Sequence, residues 1–147
     1  MTITVDGTAG ITVSSGTVAG NSAMLSPITA SLGADVALNN TANYFDGPSV
    51  AQGTTGTWFV SGTVTVKDSS ATEVIAKLWD GTTVIASGGV YMTTGNGEGL
   101  IALSGFITSP AGNLRISCRD TVNTTGLIKY NQTGNSKDST ITAIRIG

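Results

Sequence analysis

Nine acids, seven bases and no histidine make up the ionic side-chain chemistry of this 147-residue chain. Without imidazole the usual general base and the commonest metal ligand are missing. Neither a Ser-His nor a Cys-His nucleophile can be assembled, and each Lys falls in an ordinary strand or loop pattern rather than beside a poised serine. A carboxylate pair of the kind that cleaves glycosidic bonds would have to be recruited from Asp46, Asp80, Glu98 and Asp120. Nothing in their spacing joins two of them, and each reads as a turn residue or a surface charge. Cys118 is the single cysteine; it has no intrachain disulfide partner and reads as a small apolar core residue.

Two loops deserve the same test. "TGNGEG" at 94–99 lacks the Lys-Ser/Thr and the following helix of a phosphate loop, and lacks the alternating acids of a calcium loop. "NSKDS" at 135–139 reads as a loop whose Asp and Asn bond their own backbone. Asn39, Asn123 and Asn131 open N-x-Ser/Thr triplets, which mean little without a secretory signal. No catalytic, metal-binding or cofactor-binding residue is therefore assigned, and the expectation is a protein that is not an enzyme and needs no cofactor.

Aromatic residues are the remaining source of recognition chemistry: Tyr44, Phe45, Trp58, Phe59 and Trp79. Aromatics on a sheet face can stack on sugars or bases. Trp58 shares its alternation with valines and is expected in the core. Trp79 falls opposite Leu78 in the alternation, which leaves three readings open: core, protein interface or ligand platform.

The elements that must position these residues are strands. Gly and Thr recur too often for helix interiors, and period-2 alternation recurs instead. In "TWFVSGTVTVKD", Trp58, Val60, Val64 and Val66 share one face, while Thr57, Phe59, Ser61, Thr63 and Thr65 share the other. Val74, Ala76 and Leu78 alternate with Glu73, Ile75, Lys77 and Trp79. Asp80-Gly81 then predicts a hairpin turn, and Gly88-Gly89 in the return strand predicts a bulge or bend. After the Asn96-Gly97 turn come "EGLIALSGFIT", then "LRISCRD" with Leu114, Ile116 and Cys118 inward, then "GLIKYNQ" and "STITAIRIG". The count is about eight or nine strands, spaced as in a sandwich or jelly roll.

Composition bounds the rest. The length suits one domain with a real core. Charged residues are 11%, against about 25% in a typical soluble domain, and residues 36–66 carry only Asp46. A surface so poor in charge suggests contact with other protein. The seven bases are scattered, which argues against nucleic acid. No apolar run is long enough for a membrane-spanning helix, and the start has no signal-peptide pattern. Residues 1–34 read as an N-terminal extended arm and 35–147 as the main domain. The alternation of Ile3, Val5 and of Ile11, Val13 suggests two short strands around Gly7 and Gly10, of a kind that can add to a neighbour's sheet edge.

"LNNTANYFDGPSVAQGTTGTWFVSGTVTV", "AKLWDGTTVIASG" and the closing "NSKDSTITAIRIG" resemble jelly-roll virion proteins of tailed bacteriophages. The opening "MTITVDGTAGITV" is similar to the start of many phage tail-fibre and head-associated proteins. In size the chain most resembles capsid cement, or decoration, proteins of the Bordetella phage type. That resemblance implies an all-β jelly-roll β-sandwich of about eight strands. It implies a virion component, made in the host cytoplasm, on the outside of an HK97-type head. The partners implied are the major capsid protein and a second copy of the chain, as a homodimer or a trimer, with no nucleic acid and no membrane. The residues expected at the contacts are Ile3, Val5, Ile11, Val13, Met24, Leu25 and Trp79. The alternative is a tail-fibre or receptor-binding jelly-roll module that recognises host surface glycans.

Overall fold

The computed structural model describes residues 3–6, 10–13 and 26–147. The period-2 pattern folds as strands, and no helix occurs among the described residues. In chain order these are β1 (Ile3–Asp6), β2 (Gly10–Val13), β3 (Ile28–Ser31), β4 (Val36–Leu38), β5 (Phe45–Val50), β6 (Thr57–Asp68), β7 (Thr72–Trp79), β8 (Val84–Met92), β9 (Gly97–Thr108), β10 (Leu114–Asp120), β11 (Gly126–Lys129) and β12 (Thr140–Arg145). β1 and β2 pair antiparallel with each other, Ile3 opposite Val13 and Val5 opposite Ile11. Met24 and Leu25 of the expected contact set lie outside the described residues. β3, which the sequence reading placed within the arm, is hydrogen-bonded to β12 in the main sandwich. Its alternation is too short to be told from irregular chain by pattern alone.

Two antiparallel sheets make the sandwich. One has the order β5-β10-β7-β8. The other is built on β6, whose twelve residues pair with β9 from Thr57–Thr108 to Asp68–Gly97. The opposite edge of β6 is shared: β12 takes residues 58–63 and β11 takes 65–67. β3 continues outward from β12 and β4 from β11. β11 and β12 thus act as one long strand interrupted at 130–139, and β3 and β4 as one interrupted at 32–35. So counted, the sandwich has eight long strands, four per sheet, connected as a jelly roll.

Alternation fills the space between the sheets. Trp58, Val60, Val64 and Val66 of β6 face Val74, Ala76 and Leu78 of β7 and Leu114, Ile116 and Cys118 of β10, and all are buried. Burial pushes the Cys118 thiol up to about 12, so it is an unreactive core group. The expected Asp80-Gly81 turn forms, with Gly81 at φ 98°. The expected irregularity at Gly88-Gly89 does not: the β7–β8 ladder runs unbroken there, and the register shifts instead between Leu78 and Trp79. These glycines serve close approach. A Cβ on Gly88 would sit 3.4 Å from Leu103 of the facing sheet, and one on Gly89 would sit 3.2 Å from Ile75.

Gly62 has the same role in β6. A Cβ there would lie 2.6 Å from the Thr140 carbonyl oxygen and 2.9 Å from Ile116 Cδ1, so its absence lets Ile116 fill the middle of the core. Gly62→Val is expected to cost about 1–3 kcal/mol by overpacking. Urea unfolding should show a lower midpoint with an unchanged slope; an unchanged midpoint would contradict this account of the core.

Candidate functional site

The register that buries Val74, Ala76 and Leu78 sends Glu73, Ile75, Lys77 and Trp79 to the outside of the four-stranded sheet. Pairing with β10 sets Trp79 beside Arg115, Lys77 beside Ser117 and Ile75 beside Arg119. Tyr44 enters from the segment before β5. The result is an aromatic–cation cluster: the Lys77 ammonium lies 3.3 Å from the Trp79 ring centre and 4.3 Å from that of Tyr44. Arg115 lies 4.9 Å from Trp79, and Arg119 5.3 Å from Tyr44. Partly desolvated pairs of this kind contribute roughly 0.5–2 kcal/mol each. Trp79 is thus on the outer face rather than in the core. Its indole N–H donates to Ser117 Oγ at 2.7 Å, Ser117 donates to Asp46 at 2.6 Å, and Arg115 pairs with Asp46 at 3.2 Å. Burial, then the nearby Arg115 charge, hold the Lys77 ammonium below its ordinary pKa, partly opposed by Asp46.

Beside this cluster runs an open groove of about 460 Å³, lined by Tyr44, Glu73, Ile75, Ala76, Ser87, Gly88, Gly89 and Tyr91. Tyr91 is 70% exposed. Tyr91, Gly89 and Ser87 follow one another on the same face of β8, opposite Glu73, Ile75 and Lys77. By strand rise, Tyr91 and Ser87 stand roughly 13 Å apart, with no side chain at Gly89 between them. The sequence reading passed over Tyr91 because "GGVYM" gives no clear alternation; its position opposite Glu73 emerges only from the register.

The outer face of the other sheet is different in kind. Across its strands lie Thr57 and Thr108; Phe59, Phe106 and Ile144; Ser61, Ser104, Thr142 and Thr29; Thr63, Ala102, Thr140 and Ser31; and Thr65 and Leu100. None is charged. Hydroxyls pair across the ladders, Thr57 with Thr108 at 3.0 Å, Thr29 with Thr142 at 2.9 Å and Ser31 with Thr140 at 3.1 Å. Phe59 and Phe106 stack at 5.1 Å. Leu100 and Phe106 are each 64% exposed. The 130–139 loop edges this face and leaves a groove of about 450 Å³ beside Leu100.

The carboxylates do not form the pair that the sequence was tested for. Asp80 is a turn latch, accepting the Thr82, Thr83 and Ala111 N–H groups at 2.6–2.8 Å. Burial raises its pKa, but these three donors outweigh that and leave it below the ordinary value. Asp46 is held by Ser117 and Arg115. Asp120, however, meets Asp68, a neighbour that no local pattern in the chain suggests. They are 0% and 1% exposed. A Cβ on Gly126 would lie 3.1 Å from the Oδ2 of each, so both oxygens face one point. Their Oδ1 atoms are saturated: Asp68 accepts from Ser70 and Thr125, Asp120 from Thr72, Val122 and Asn123. Burial and then the neighbouring Asp120 carboxyl raise the Asp68 pKa. Burial also raises that of Asp120, but the hydrogen bonds from Asp68, Thr72, Asn123 and Val122 prevail and lower it. The opposed directions are those expected where two carboxyls share a proton on the Asp68 side, and Asp120 ties the start of β7 to the end of β10 through Thr72. No set of three or more acids or cysteines poised for a metal occurs among the described residues.

No family model matches the chain, and no curated protein does. Solved structures with a similar strand layout include the C-terminal CBM6 of LamC, a marine laminarinase from Zobellia galactanivorans, at 10% identity and TM-score 0.41, covering 82% of this chain and 100% of that one. Eiger TNF from S. frugiperda is 12% identical with TM-score 0.46, covering 82% and 93%. The PRD1 vertex protein P5 is 14% identical with TM-score 0.41, covering 82% and 96%. None of these likenesses bears on what this chain binds.

The carboxyl pair has a measurable signature. The raised Asp68 pKa contributes stability that is complete below the unfolded-state value and is lost as pH rises through the folded value. The lowered Asp120 pKa contributes stability that is present above its unfolded value and is lost as pH falls through the folded one. The urea midpoint should therefore decline as pH climbs above the ordinary carboxylate range. Asp68→Asn, which stays neutral and keeps a donor, should flatten that decline; parallel wild-type and variant profiles would exclude the shared proton.

Proposed function

We propose that this chain is a non-catalytic virion surface protein, a decoration or cement protein of a phage head. In this reading it grips the major capsid protein through the outer face of β9, β6, β12 and β3, over its uncharged stretch. The observation that carries the reading is the uncharged stretch of that face from Thr57 and Thr108 to Thr63 and Ala102, with exposed Phe106 within it and exposed Leu100 at its end. Ions are costly to desolvate in a contact, whereas hydroxyls and apolar groups can be covered at little cost when their bonds are already made across the ladder. A rigid sandwich loses little entropy on docking, and many copies on a fixed lattice multiply modest contacts. The N-terminal segment, with Ile3, Val5, Ile11, Val13, Met24 and Leu25, supplies a second grip on the shell or on another copy of the chain, as a homodimer or trimer. The alternative reading, a receptor-binding module for host glycans, is favoured by one feature, the tyrosine-walled groove on the opposite face.

The test is co-sedimentation with heads stripped of this protein. Leu100→Lys with Phe106→Glu should leave the melting temperature within a few degrees of wild type, because both side chains are exposed, yet reduce retention at least tenfold. Removal of residues 1–25, which spares β3, should weaken retention as well. Wild-type retention by the double variant would overturn the assignment of the face.

A further inference from the structure

The outer face of the four-stranded sheet carries cations that have no ion-pair partner among the described residues. Among the described residues the ion pairs are Arg115 with Asp46 and Lys129 with Asp35. Lys77 has neither an ion pair nor a hydrogen bond there, and its ammonium rests on two aromatic rings. Arg119 lies over Tyr44, and its buried Nε has no hydrogen-bond partner. Both cations flank Tyr44, which is also a wall of the glycine-floored groove. At the far end stand Tyr91, 70% exposed, and the carboxylate of Glu73 opposite it.

We propose that this groove binds an acidic glycan, with a sugar carboxylate seated at Lys77 and Arg119 and pyranose rings lying against Tyr44 and Tyr91. Each part has a chemical reason. A pyranose ring has an apolar face of C–H groups that packs on an aromatic ring, and Tyr91 offers such a ring to solvent. Gly89, with no side chain on the outer face, leaves the floor low enough for a ring to sit down between the tyrosines. Ser87 and Glu73 offer hydrogen-bond partners for sugar hydroxyls. The charge balance chooses the ligand class: with Asp46 engaged by Arg115 and Ser117, the two unpaired cations outnumber Glu73, and a carboxylated sugar completes the balance. Uronic and sialic acids share this chemistry. The site stands apart from the decoration reading, since it is on the opposite sheet and is measured without heads.

Isothermal titration of the full chain at low salt tests it with four probes: hexagalacturonate, 3′-sialyllactose, neutral maltohexaose and a hexaglutamate peptide. Binding of hexagalacturonate or sialyllactose, at least tenfold tighter than maltohexaose and hexaglutamate and weakened by added salt, is the expected result, and the tighter of the two names the sugar. Lys77→Gln and Tyr91→Ala should each weaken that binding at least tenfold while both variants remain folded by circular dichroism at the titration temperature. Arg119→Gln provides a second cation variant should Lys77→Gln unfold. No binding to either acidic sugar, equal binding of maltohexaose, equal binding of hexaglutamate, or full affinity in the folded variants would overturn the proposal.

Discussion

The structure depends on β6 being paired along both edges. Its twelve residues are held by β9 on one side and by β12 and β11 in turn on the other. A strand fixed on both sides cannot slip by one residue without turning its valines to solvent and its threonines to the core. That constraint sets both the core and the neutral face. Val60, Val64 and Val66 point in and are fully buried. Thr57, Phe59, Ser61 and Thr63 then have to point out, and their ladder partners are likewise uncharged.

A second consequence is the division of the two outer faces. A chain with 11% charged residues cannot spread charge evenly, and here the ions leave a neutral stretch on the β6 face, with Lys67, Glu98 and Lys129 at one end of it. Asp46, Lys77, Arg115 and Arg119 lie together on the four-stranded sheet. Asp80, Asp138 and Asp35 are held in turns and loops by backbone donors at Thr83, Thr133 and Tyr130. Asp68 and Asp120 are inside. Most acids therefore serve the architecture of turns, and the ionic chemistry left for a ligand is concentrated on one sheet. The two faces suit different partners: one offers hydroxyls and apolar groups, the other aromatic rings and cations.

Much of the fold was legible because period 2 is a strong local signal. Trp58 among valines, the inward Leu114, Ile116 and Cys118, and the Asp80-Gly81 turn all followed from alternation and turn chemistry. What escaped depends on contacts between residues far apart in sequence. Asp68 and Asp120 are ends of different strands, and only the β6–β7 turn closing over β10 brings them together. Tyr44, Arg119 and Tyr91 meet on one face through the registers β10–β7 and β7–β8, which no single stretch encodes. Gly88 and Gly89 carry a bend signal in sequence, but the deciding neighbours, Leu103 and Ile75, lie on another strand or another sheet. Trp79 was left open among three environments because alternation assigns a face, not what covers it.

The interruptions in the long strands show how the fold reconciles a neutral face with a closed rim. β3–β4 and β12–β11 break at the same level, and the two breaks are tied together: the Asp35 carboxylate pairs with Lys129 and accepts the Tyr130 N–H at 3.0 Å. This ion pair and backbone bond let the chain leave the sheet at Tyr130 without exposing an unpaired edge. The 130–139 excursion is then folded on itself by Asp138, which accepts from the Thr133 hydroxyl and N–H, and is tied to β6 by Ser139, which accepts the Thr65 N–H and donates to the Lys129 carbonyl. The loop stands as a fixed rim with Lys137 and Asp138 at the border of the neutral face.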